Sequence, residues 1–122
     1  MRALKNHMAL TKKLRLKDAK SISRVFRETR PRHEAGLSLR ASDSKNTPTV
    51  FAVLVPTSVA ARALARNALR RKVTEALRRV LRAHDVIVGK KVVLTVRSVP
   101  PIARDLEKSL VLLLNKSAIL QK

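Results

Sequence analysis

Residues 62–82, RALARNALRRKVTEALRRVLR, hold the pattern that organises the chain. Leu69, Val73, Ala76, Leu77 and Val80 recur at three- and four-residue steps, the spacing of one apolar stripe on a helix. At about 100° per residue, Arg71, Arg78 and Arg82 fall in a narrow arc opposite that stripe. Lys72 and Arg79 flank one edge of the stripe, and Arg66 and Arg70 flank the other, near Asn67. The segment carries seven Arg and one Lys against a single acid, Glu75. One face is therefore predicted to enter a core while the rest of the helix surface stays cationic. The helix is read from Val59 to about Arg82, with Ser58 as its N-cap.

On either side of this helix the periodicity changes. Upstream, Thr49–Val55 is a near-continuous run of β-formers closed by Pro56, and Gly36–Ala41 alternates, with Leu37, Leu39 and Ala41 facing one way and Ser38 and Arg40 the other. With the turn-forming residues between them, the two runs predict a hairpin whose second strand is central. Asp18–Thr29 places Ile22, Val25 and Phe26 on one helical face, and Pro31 ends that helix by biasing Arg30 away from helical backbone. Downstream, Lys91–Arg97 reads as a strand. Pro100–Pro101 then opens a last helix, about Ile102–Asn115, burying Leu106, Leu110, Leu113 and Leu114. The order is helix, strands, long basic helix, strand, helix. That is an α+β pattern: a single domain with a mostly antiparallel sheet and helices packed on it. Residues 1–13 are expected to form a flexible basic arm able to track phosphates, with one domain over 14–122.

Charge sets the class of partner. The 122 residues hold 28 Lys+Arg against 8 Asp+Glu, a formal net charge of +20. In a compact domain such a charge repels itself unless a polyanion shares the field. A merely solvated helix is disfavoured, because one Glu75 cannot neutralise eight bases. A membrane-surface helix would want aromatics on its apolar face, and residues 62–82 have none. Nucleic acid remains. Arginine suits it, because a guanidinium fork engages phosphate bidentately and stacks on bases. Arg62, Arg66, Asn67, Arg70, Arg71, Lys72 and Arg78 are the candidate RNA-binding residues of this segment.

Composition also narrows how RNA is read and who does the chemistry. With no Trp or Tyr and only Phe26 and Phe51, a multi-base stacking platform is excluded, so binding should rest on phosphates and RNA shape. Phe51 sits mid-strand and is expected in the core; Phe26 is core or the rim of a cleft. His7, His33 and His84 lie far apart in tail and loop positions, without metal-ligand or nucleophile–base spacing. Acids are few and embedded among bases, which disfavours a carboxylate metal site, and two glycines cannot build a phosphate-cradling loop. Hence no catalytic residue and no protein metal site are expected. Cysteine is absent, which fits a reducing compartment. No run resembles a secretory signal or a membrane span, so the cytoplasm is the expectation.

The same residues resemble the ribonuclease P protein component. Arg66-Asn67, followed by Leu69-Arg70-Arg71 and Glu75, is similar to that family's Arg-Asn-Arg helix, with Ala68 at the third core position and Thr74 where a later Arg is usual. Arg15-Leu16, Ile22 and Val25-Phe26 resemble its first helix, and the strand ending in Arg97 with Lys108-Ser109-Leu110 through Lys116-Ser117 its closing strand and helix. The ordered resemblance covers about residues 14 to 120. It departs at Pro56-Thr57-Ser58, where Ser-Lys-Lys is usual, and at Ile22 and Arg40, where aromatics are usual.

The resemblance implies an α/β sandwich with a left-handed βαβ crossover. It implies a protein cofactor of an RNA enzyme that removes the 5′ leader of precursor tRNA, the chemistry and bound Mg²⁺ belonging mainly to the catalytic RNA subunit. Arg66, Asn67, Arg70 and Arg71 would contact that RNA, with Arg15 a further RNA-binding residue. A cleft between the first helix and the sheet, with Ile22, Phe26 and Arg40 at its surface, would hold the single-stranded leader. The partners implied are the RNA subunit and precursor tRNA, without membrane or protein partner. A structural RNA-binding protein of ribosomal type is the alternative, and a DNA-binding helix-turn-helix is disfavoured by the intervening strands.

Overall fold

The computed structural model describes residues 3–4, 19–43, 48–98 and 103–120. The elements run β1 (Ala3–Leu4), α1 (Ala19–Glu28), β2 (Arg32–Glu34), β3 (Leu37–Asp43), β4 (Val50–Leu54), α2 (Ala63–Ala83), β5 (Val86–Ile87), β6 (Lys90–Val96) and α3 (Ala103–Lys116). The three helices lie where the periodicity placed them, and with the mixed sheet they make an α+β fold. Within the expected arm, Ala3–Leu4 pairs antiparallel with Val86–Ile87; the rest of residues 1–13, and Arg15, lie outside the described residues.

The main sheet has the order β2-β3-β6-β4. β3 pairs antiparallel with β6 from Leu37↔Val96 to Asp43↔Lys90, and β4 pairs parallel with β6 from Val50↔Lys91 to Leu54↔Thr95. The expected hairpin between the 36–41 and 49–55 runs is therefore overturned: β6 inserts between them and β4 lies at the sheet edge. The apolar continuity of β4 has a different cause, burial on both faces. Phe51 packs with the α2–α3 core, while Ala52 packs with Val25 of α1 and Val93 of β6. Parallel neighbours need a crossover connection, and α2 supplies it between β4 and β6.

The hairpin that does form joins β2 to β3 through Ala35 and Gly36. Both have positive φ, +48° and +82°, which a two-residue turn of the primed kind requires. The Gly36 carbonyl accepts from the Arg97 and Ser98 amides at 2.7 and 3.2 Å, and a Cβ on Gly36 would lie 2.3 Å from Ser98 Oγ. A side chain there meets strain and a clash together.

Two apolar layers result. Leu37 and Leu39 of β3 and Val92, Leu94 and Val96 of β6 face Val73, Leu77 and Val80 of α2 and Leu106, Leu110, Leu113 and Leu114 of α3. On the other face Val25 covers Ala52 and Val93, with Ile22, Val50 and Leu54 around them. The helix start differs from expectation: Ser58 lies in a turn, and α2 begins at Ala63 with Arg62 extended at the N-cap and no side-chain cap. The Pro56 carbonyl takes the Val59 and Ala60 amides at 3.0 and 3.3 Å, closing a turn that keeps Ser58 out of capping range.

Polar ties fix the ends of the sheet. Lys90 Nζ donates to Asp43 at 2.6 Å and holds that exposed carboxyl below the usual carboxylate range. Thr49 is fully buried; its hydroxyl donates to the Ile87 carbonyl and accepts from the Lys90 amide at 3.2 Å, pinning β4 to the start of β6. Thr49→Val keeps the shape but leaves both backbone groups unpaired, so stability should fall by about 1–3 kcal/mol. A lower urea midpoint with unchanged slope, largely restored in Thr49→Ser, is the expected measurement.

Candidate nucleic-acid interface

The long helix sorts its cations by what they touch. Toward its C-terminal half, Arg78 reaches Glu75 at 3.3 Å and Arg79 reaches Glu107 of α3 at 2.8 Å. Arg78 is half-buried and its Nε has no partner among the described residues, so this candidate is engaged within the fold. Arg79 ties the two helices of the core layer together.

The N-terminal half is different. Residues 63–68 are exposed apart from Arg66, and core contact begins in earnest at Val73. Arg66 Nη1 donates to the carbonyls of Ala60 and Ala61 at 3.2 and 2.6 Å, so this guanidinium anchors the connecting segment to the first helical turns. Arg70 donates to the Asn67 side-chain oxygen, which holds its guanidinium along the helix surface. Arg62, Arg71, Lys72 and Arg82 are exposed and have no ion pair among the described residues.

The helix start is electrostatically unsatisfied. It has no acid in its first turn and no side-chain cap, although free N–H groups and the positive end of the helix dipole gather there. Arg62 at the N-cap and Arg66 one turn on add positive charge where an anion is favoured. A phosphate supplies the missing charge and the missing acceptor together. The candidate residues Arg62, Arg66, Asn67, Arg70, Arg71 and Lys72 thus share one stretch of exposed helix, with Arg66 and Asn67 orienting and Arg62, Arg71 and Lys72 open to a partner.

The cleft candidates meet on the other face of the sheet. Ile22 is half-buried in the layer beneath α1, and Phe26 is 38% exposed, a rim position. The Arg40 guanidinium carbon stands 4.8 Å from the Phe26 ring centroid, in cation–π range. Arg40 Nη1 also donates to the carbonyls of Phe26, at 3.2 Å, and Thr29. The cation therefore caps the C-terminal end of α1, where carbonyls lack helical partners. Thr29 was not among the sequence candidates. Its signal was Pro31, which stops the helix and leaves these carbonyls to be satisfied.

Of the histidines, His33 is exposed, His84 is half-buried with Nδ1 3.0 Å from the Val80 carbonyl, and His7 lies outside the described residues. No three His, Asp or Glu side chains gather where they could hold a metal ion among the described residues. No helix there is long and apolar enough to cross a membrane.

Comparison with known proteins places this arrangement. The chain aligns over 88% of its length with a Staphylococcus aureus RNase P protein, covering 98% of that chain at a TM-score of 0.72 and 17% identity. It also aligns with the RNase P protein from Thermotoga maritima, over 84% of this chain and 96% of that one, at a TM-score of 0.65 and 18% identity. At such identity these matches speak for the fold. No curated protein matches the sequence. The Ribonuclease P family model, however, matches residues 10–117. With that match over most of its length, the same fold and the ordered motifs, the chain belongs to the ribonuclease P protein family.

Proposed function

We propose that the chain is the protein subunit of a ribonuclease P ribonucleoprotein, in which it binds the catalytic RNA and the 5′ leader of precursor tRNA. The observation that carries this reading is the exposed N-terminal half of α2, where Arg62, Arg71 and Lys72 stand without ion pairs among the described residues. Family membership supports a role in ribonuclease P and tRNA processing. The cationic stretch supports RNA as the direct partner, because phosphates replace the acids that the fold does not supply.

The leader is assigned to the α1 side. A single strand there meets a half-exposed aromatic ring with a guanidinium stacked on it, and both groups accept a base of any identity. The RNA subunit is the endonuclease, and the Mg²⁺ of the reaction is assigned mainly to it. The protein lowers phosphate repulsion between catalytic RNA and substrate, which reduces the Mg²⁺ needed to bring them together. Precursor tRNA and the RNA subunit are the partners, no further protein is required, and the cytoplasm is the site of action.

Reconstitution tests the whole reading. The chain, mixed with bacterial ribonuclease P RNA and labelled precursor tRNA at low Mg²⁺, is expected to accelerate 5′ leader removal. No gain with several such RNAs would overturn it. The α2 assignment has its own test: Arg70→Glu with Arg71→Glu should abolish assembly with the RNA subunit while circular dichroism and thermal unfolding stay unchanged. Retained assembly moves the interface elsewhere. For the cleft, Arg40→Ala should weaken binding of precursor tRNA by about 1–2 kcal/mol, the scale of one stacked cation, with mature tRNA unaffected. Equal loss for both ligands would remove the leader from this face.

A further inference from the structure

A cavity of about 690 Å³ opens at the β2 edge of the sheet, outside the surfaces described above. One wall is the 29–32 connection from α1 to β2, the other is Lys116–Ala118 at the end of α3, and Leu39 and Ala41 of β3 form the floor. Arg32 pairs with Leu39 across the hairpin, so both side chains leave the sheet on the α2–α3 side, opposite Phe26 and Arg40. The volume lies in the roughly 300–1,000 Å³ range of ligand-sized sites.

The lining pairs an apolar floor with a cationic rim. Arg30 and Arg32 stand on either side of Pro31, and both line the cavity. Both are exposed, with no ion pair or side-chain hydrogen bond to any described residue. Lys116 is already engaged, by Glu34 at 2.7 Å and the His33 carbonyl at 3.2 Å. Glu28 is the acid of the lining, and two open guanidinium groups outweigh it. In the α3 wall the buried Ser117 hydroxyl has no partner among the described residues.

Position links this cavity to the cleft. Thr29 lines the cavity, and its carbonyl accepts from Arg40 on the other face. The 29–31 segment thus borders the cavity on one side and, through Thr29, the Arg40 contact on the other. We propose that the cavity is a second site for single-stranded RNA, receiving the nucleotides that leave the α1 cleft. Arg30 and Arg32 take neighbouring phosphates, and a base or ribose lies over Leu39 and Ala41. The inference rests on the leader assignment made above and extends it around the sheet edge.

The test uses the reconstituted ribonucleoprotein and precursor tRNAs with leaders of increasing length. Arg30→Ala with Arg32→Ala is compared with Lys108→Glu, which makes the same charge change at an exposed position of α3 outside the cavity. The double variant is expected to bind short leaders normally, to lose about tenfold in affinity for long ones, and to show a salt slope for long leaders reduced by about 1–2. Lys108→Glu should retain the gain from leader length. Unchanged length dependence in the double variant, or an equal loss in Lys108→Glu, would overturn the cavity site while leaving the cleft in place. A wild-type protein that stimulates cleavage without any gain from leader length would overturn the leader assignment and the cavity site together.

Discussion

The fold depends on β6 entering between β3 and β4. That insertion makes one neighbour antiparallel and the other parallel, and the parallel pairing cannot be closed by a tight turn. A crossover is required, and the crossover element is the most basic segment of the chain. Because β6 is buried on both faces, with Val92, Leu94 and Val96 toward one helical layer and Val93 toward the other, it also forces helices onto both sides. The positions of the two candidate RNA surfaces follow from this one strand. α2 must lie on one face to make the crossover, and α1 must cover the other to keep Val93 and Ala52 dry.

The distribution of acids then decides which cations remain for a ligand. Glu75, Glu107, Asp43 and Glu34 each hold one base, at Arg78, Arg79, Lys90 and Lys116. One pair lies within α2, and the others sit where elements meet: between α2 and α3, at the end of the β3–β6 ladder, and between α3 and β2. Solvent-screened pairs of this kind contribute little to stability, so they do not hold the fold together against a net charge of +20. Their effect is spatial. Neutralisation is concentrated in the framework, and the start of α2 receives none from the described residues.

Much of this was legible in the sequence, and the failures have physical causes. The stripe Leu69, Val73, Ala76, Leu77 and Val80 and the four buried leucines of α3 were readable because 3.6-residue periodicity is a local property. Leu37 and Leu39 were placed on one face by the two-residue alternation of a strand, which is equally local. Strand neighbours are a long-range property, and a continuous apolar run reports burial on two faces without saying which strands lie alongside. Hence β4 was expected at the centre and is found at the edge. β2 escaped notice because its turn uses Ala35 at positive φ, where Asn or Asp would have announced it. Ser58 is a good capping residue overruled by the Pro56 turn. At the candidate site, the charge of Arg66, Arg70 and Arg71 was visible, but the hydrogen bonds that give Arg66 an anchoring task were not. Arg30, Arg32 and Lys116 gather only because α3 ends against β2, which no local pattern encodes.

Arg40 shows how a departure in one residue is absorbed by the fold. A strand position that resembles a family aromatic site carries a cation instead, and an unpaired guanidinium facing α1 would be costly if it had no acceptor. The end of α1 provides two carbonyls, of Phe26 and Thr29, and the Phe26 ring provides a face. Helix termination at Pro31 is what leaves those carbonyls available. The cation therefore completes α1 and backs the aromatic ring at the same time. Because the same short segment runs on into Arg30 and Arg32, the residues that end a helix also form one wall of the cavity at the β2 edge.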